Sequence, residues 1–151
     1  MSAPVSVIDD EAAAALQNAL AAEHAALWCY GLVIAFLPAG LQAQAHADED
    51  AHTALRGRVE QTLTTIGRKP VTAEPAYATP KPVTDGPSAA ALAAVAENDC
   101  LVAWRAVVER TTDQGLRSAA LTALTQTALR NARWRGVVAA SPTVLVFPGR
   151  P

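Results

Sequence analysis

The chain has no glycine-rich phosphate loop, no Gly-x-Ser-x-Gly elbow and no Cys-x-x-Cys pair. Local support for nucleotide binding, serine hydrolysis and dithiol chemistry is therefore missing. Cysteine is limited to Cys29 and Cys100, far apart and each on a predicted helix. That spacing argues for two buried thiols in a reducing compartment and against a disulfide framework. An excess of one charge is also lacking: the net charge of -2 gives no electrostatic footprint for nucleic acid or an anionic membrane. Met1-Ser2-Ala3-Pro4 leads into Asp9-Asp10-Glu11 without a basic n-region, so no secretory signal is expected. The longest apolar run, Ala25 to Leu37, is bordered by Glu23 and His24 and falls short of the ~20 residues that cross a bilayer. A cytoplasmic chain with neither nucleic-acid nor membrane partners is the expectation.

Aromatics are scarce at 5%, whereas apolar residues reach 51%, with alanine filling the long periodic stretches. Alanine has the highest helix propensity and lets backbones approach closely, so the composition predicts packed helices rather than sheets. At 151 residues the chain is read as one all-α domain over residues 1–151. Four helices are predicted, over residues 10–37, 41–67, 88–111 and 113–140. Asp9 or Asp10 caps the first, and Pro38 with Gly40 makes the turn that follows it. Gly67 closes the second helix, and Asp85-Gly86-Pro87-Ser88 opens the third. Between them Pro70, Pro75, Pro80, Pro82 and Pro87 leave no room for a helix or central strand. Fully extended at ~3.3 Å per residue, that segment can run the whole length of a bundle as a long crossover. An apolar tail, Thr143 to Phe147, should dock against the bundle or a second subunit.

Chemistry concentrates where polar side chains interrupt the apolar seams. The first helix carries Leu16, Leu20, Glu23, Leu27 and Tyr30 on one stripe, with Glu23 in its middle. The second reads Leu41, Ala45, Asp48 or Glu49, His52, Leu55 and Val59. Glu49 and His52 form a Glu-x-x-His pair, the unit that carboxylate-bridged metal sites in four-helix bundles use. Antiparallel pairing about the turn near Pro38 brings Glu23, Glu49 and His52 to one level, with Glu97 of the third helix within reach. Two carboxylates and an imidazole suit a single Fe, Mn or Zn ion. The matching level of the fourth helix holds Thr127, Arg130, Asn131 and Trp134, with no glutamate or histidine anywhere along it. An arginine there can pair with Glu97 in place of a metal. Elsewhere, His24 reads as a rim or interface histidine, His46 as a solvated one, and Trp28, Trp104 and Trp134 as core anchors.

The stretch Leu16 to Gly31, in which Glu23 precedes Trp28, Tyr30 and Gly31, looks like the first helix of ferritin-like domains. With residues 74–85 and Arg133-Trp134-Arg135, the chain resembles an actinobacterial ferritin-like domain family of uncharacterised function. The resemblance covers most of residues 10 to 140 and implies a ferritin-like four-helix bundle paired as a homodimer. Ferritin-like enzymes carry glutamates and two Glu-x-x-His pairs; this chain matches at Glu23, Glu49, His52 and Glu97 and departs in the fourth helix. Two expectations follow. The first is a bundle without a dinuclear centre or other cofactor that binds a small ligand or a protein partner. The alternative is a metal-dependent enzyme with a mononuclear or asymmetric site at Glu23, Glu49 and His52, completed by Glu97 or a second subunit.

Overall fold

A computed structural model describes residues 7–151 and shows four α-helices, with no strand among the described residues. They are α1 (Asp10–Phe36), α2 (Ala39–Thr65), α3 (Gly86–Arg110) and α4 (Gln114–Val137). Each start has a physical cause. The Asp9 side chain accepts from the Ala12 N–H (2.8 Å) and that of Asp113 from the Leu116 N–H (2.6 Å). Asp85 and Ser88 form a reciprocal capping box at α3, with Pro87 in its first turn. Pro38 alone separates α1 and α2 beyond the cap residue Leu37, since it cannot continue the first helix yet suits the entry to the second.

Differences from expectation concern the ends, and α3 begins at Gly86, two residues ahead of Ser88, where its Asp85 cap places it. The second helix begins at Ala39, before Gly40, and stops at Thr65, where Ile66 and Gly67 turn out of it; Gly67 takes φ 77° and Arg68 N–H donates back to the Leu63 carbonyl (2.8 Å). The fourth ends at Val137, short of Ala140, because Ala139 adopts φ 53° and Ala140 N–H closes on the Arg135 carbonyl (2.8 Å).

The helices form a four-helix bundle in which α1 packs on α2 and α3, and α3 packs on α4. Ala19, Leu20, Tyr30 and Val33 of α1 and Ala89, Ala93, Leu101 and Val107 of α3 are fully buried, so these two helices supply most of the core. Alanine at the contacts brings their backbones close, which leaves little volume for large side chains. The proline-rich connection lies along α1. Gln17 Nε2 donates to the Lys69 carbonyl (2.8 Å), Val71 N–H donates to Gln17 Oε1 (2.9 Å), and the Tyr77 ring lies 6.0 Å from that of Trp28. It ends where Gly86 passes Pro38, so close that a Cβ there would sit 3.2 Å from the proline Cδ. After α4 the chain is irregular: Arg135 donates to the Pro142 carbonyl, and Gly149 lies on the backbone of α3 at Leu101.

Candidate functional site

The inward faces of all four helices carry polar side chains along about two turns of the bundle. From α1 come Glu23 and, two turns on, Tyr30; from α2 come Asp48 and, one turn on, His52. α3 supplies Glu97 and Trp104, and α4 supplies Thr127, Arg130 and Trp134. All of these are buried. Burying so many polar groups is costly unless each finds a partner, and here each does.

His52 is the hub. Its Nδ1 lies 2.6 Å from Glu23 Oε2 and its Nε2 lies 2.9 Å from Glu97 Oε1. A neutral imidazole has one donor nitrogen, so two ionised carboxylates at its two nitrogens call for the imidazolium form. Burial alone would depress its pKa, but the hydrogen bonds and charges of Glu23 and Glu97 outweigh that and raise it to about 9. Glu23 accepts a second bond on Oε1 from the Trp104 indole (2.7 Å). Glu97 accepts from Tyr30 Oη (2.6 Å) and sits against Arg130 Nε, which is 3.1 Å from both its oxygens. Burial pushes the Glu97 carboxyl upward, yet His52, Arg130 and Tyr30 together hold it below its usual range. The Tyr30 phenol is driven far upward by burial and by the Glu97 charge, so it stays a donor.

A second layer closes over the first. Asp48 Oδ2 accepts from the Trp134 indole (2.9 Å), and Oδ1 accepts from Gln44 Nε2 (2.8 Å) and Arg133 Nη2 (2.9 Å). Arg130 Nη2 reaches Thr127 Oγ1 (3.0 Å). With His52 protonated, the charges of Glu23 and Glu97 are balanced by those of His52 and Arg130, and Asp48 is balanced by Arg133. The cluster closes at zero net charge, the condition under which buried ions are tolerated.

The structure brings Glu23, His52 and Glu97 together and leaves Glu49 out. Glu49 is part-exposed, and its Oε2 lies 3.6 Å from His46 Nδ1 on the outer side of α2. The reason is angular: His52 one turn later faces inward, and Asp48 at four residues back shares its face more closely than Glu49 at three in this helix. Asp48 therefore takes the place assigned to Glu49. His24, expected at a rim, is buried, with Nε2 3.0 Å from the Val71 carbonyl. On α4, Leu124 is only partly buried, and Ala123 and Arg130 take the interior beside Thr127, Asn131 and Trp134. Trp104 and Trp134 are more than core anchors, since each indole N–H ends on a carboxylate. The general need of a buried indole for an acceptor is the signal that points to them.

The dinuclear metal centre implied by the ferritin-like resemblance does not fit these residues. Its fourth-helix ligands are replaced by the Arg130 guanidinium, a cation already seated on Glu97. A smaller donor set does exist. One ligand atom each of Glu23, His52 and Cys100 lie within 4.8 Å of one another. Burial, then the nearby Glu23 and Glu97 charges, push the Cys100 thiol well above its ordinary range, so it enters that set as a protonated group.

The family described as Domain of unknown function (DUF4439) matches residues 15–151. The chain belongs to the DUF4439 family. A solved relative is a conserved hypothetical protein, rv2844, from Mycobacterium tuberculosis, 38% identical, with a TM-score of 0.82. The similarity covers 85% of the DUF4439 chain described here and 98% of the mycobacterial one. Comparison with curated proteins finds no match. The four-helix all-α architecture is thus shared with the mycobacterial protein, and membership in DUF4439 transmits no reaction.

Proposed function

We propose that this DUF4439 chain is a ferritin-like bundle in which a protonated histidine and an arginine stand where ferritin-like oxidases hold metal ions. On this reading it works as a small-ligand-binding or interaction protein rather than an oxidase. The carrying observation is His52, whose two nitrogens both face carboxylate oxygens, at 2.6 and 2.9 Å. Neither nitrogen then offers a lone pair to a metal. Arg130 on Glu97 completes the charge balance. The long connection lying along α1 supports the ferritin-like assignment, since such folds need one long crossover.

Elemental analysis of protein purified without chelator and without a metal-affinity tag tests this. The expected metal content is well below one ion per chain and is the same in Glu23→Gln. The Glu23, His52 and Cys100 donor set favours one second reading, a mononuclear metal enzyme. About one ion per chain, lost in Glu23→Gln, would establish that reading and overturn the first.

A further inference from the structure

We infer that the cleft between α1, α3 and the connection is a binding site for a short aliphatic monoamine, whose ammonium group Asp99 receives while its hydrocarbon lies on an alanine floor. The cleft measures about 230 Å³, and Ala22, Ala25 and Ala26 of α1 and Ala96 of α3 form its floor. A lobe of about 190 Å³ adjoins it through the shared wall of Pro80, Leu92 and Val95. Together they fall in the size range of small-molecule sites, ~300–1,000 Å³. Tyr77, Ala78 and Pro80 of the connection form the roof. That roof is fixed in place: the Tyr77 ring lies against Trp28, and its Oη accepts from the Glu74 N–H (2.9 Å).

Charge selects the ligand. Asp99 is the one carboxylate lining the cleft, and it has no ion-pair or hydrogen-bond partner among the described residues. Partial burial raises its pKa, the mark of a carboxylate losing water without gaining a counter-ion. Cys29, which also lines the cleft, stays neutral, because burial and then the Asp99 charge lift its thiol to about 11. At the far lobe Ser88 Oγ is already engaged with Asp85, and Lys81 adds a positive charge. A second ammonium at that end would meet Lys81, so a monoamine is preferred to a diamine. Asp99 stands seven residues beyond Leu92 on α3, ~10 Å along the axis, which matches a chain of about six carbons.

The inference rests on the ligand-binding reading above, yet its failure would leave the metal-free core untouched, because elemental analysis reads that core separately. The test is a titration of the full chain with n-hexylamine, followed by NMR shifts of the Cys29, Val95 and Asp99 backbone amides. Saturable shifts are expected, weakened about fivefold in Asp99→Asn, the scale of a part-exposed ion pair. Ala25→Leu, which fills the cleft from a partly exposed position, should abolish them. Hexanoate should give no saturation, and 1,6-diaminohexane should bind more weakly than the monoamine. Absence of saturation with hexylamine, equal affinity in Asp99→Asn, or binding of hexanoate as tight as that of the amine would each overturn the assignment. Asp99 is exposed, so Asp99→Asn should keep the wild-type melting temperature and remain interpretable.

Discussion

At the level of single residues, the protein's stability hangs on the proton shared out by His52. The imidazolium is held between Glu23 and Glu97, and its pKa of about 9 stands above the ordinary 6.5. A group with a raised folded pKa stabilises fully below its unfolded value and loses that contribution as pH rises through the folded one. Glu97 has the opposite sign: held below its ordinary 4.5, it stabilises above that value and loses the effect as pH falls through its lowered pKa. Both shifts describe one contact, so its energy counts once. Stability should therefore be greatest between roughly pH 5 and pH 6.5, and fall by ~2 kcal/mol between about pH 6 and pH 8.5. Urea unfolding at the two pH values measures this. A wild-type curve as flat as that of His52→Gln would sink the imidazolium assignment. Glu23, His52 and Glu97 were legible in the sequence because each interrupts an apolar stripe. The choice between Asp48 and Glu49 was not, because adjacent positions differ by only about 100° around a helix and periodicity resolves faces no better than that. Arg130 was legible as a partner of Glu97 only by elimination, from a helix with no other charge at that level.

Along each helix, the ends were read from the caps and the middles from the stripes. Asp9, Asp85, Gly67 and Pro38 announce their roles, since the side chain or the absent N–H itself makes the boundary. The end of α4 gives no such notice. Ser141-Pro142 marks an upper limit, but the helix stops earlier, at an alanine in the left-handed region where glycine is the usual residue. Left-handed backbone costs a residue with a Cβ ~1–2 kcal/mol. Glycine at 139 would remove that strain while adding ~0.5–1 kcal/mol of unfolded-state entropy. The expected result for Ala139→Gly is a gain of about 0.5–1 kcal/mol, read as a raised melting temperature by circular dichroism. An unchanged or lowered midpoint would mean that the turn at Ala139 is not held in solution as it is here.

Over the whole molecule, the α1–α3 pair is the scaffold, and everything else is added to its flanks. Four helices, their order and the long connection were legible because proline density and heptad-like spacing act locally. The contacts of the connection and of the tail were not, because they depend on surface shape that forms only once the bundle is assembled. The tail shows this best. Its apolar residues predict docking, yet Val144, Val146 and Phe147 remain exposed. What seats the tail is backbone at its far end. Gly149, at φ 77°, approaches so closely that a Cβ would lie 2.4 Å from the Leu101 carbonyl oxygen and 2.9 Å from Arg105 Cβ. Arg105 Nη1 also reaches the Pro148 carbonyl (3.5 Å). Neither the helical backbone at Leu101 nor the conformation of residue 149 can yield cheaply, so Gly149→Ala should lift the tail off α3. The bundle core does not depend on that contact, and its melting temperature should change by no more than a few degrees. Limited proteolysis with elastase, which cuts beside small aliphatic residues, should then trim the chain at Val144 and Val146 several times faster than in wild type. Equal cleavage rates would show that the tail is seated by something other than the close approach at Gly149.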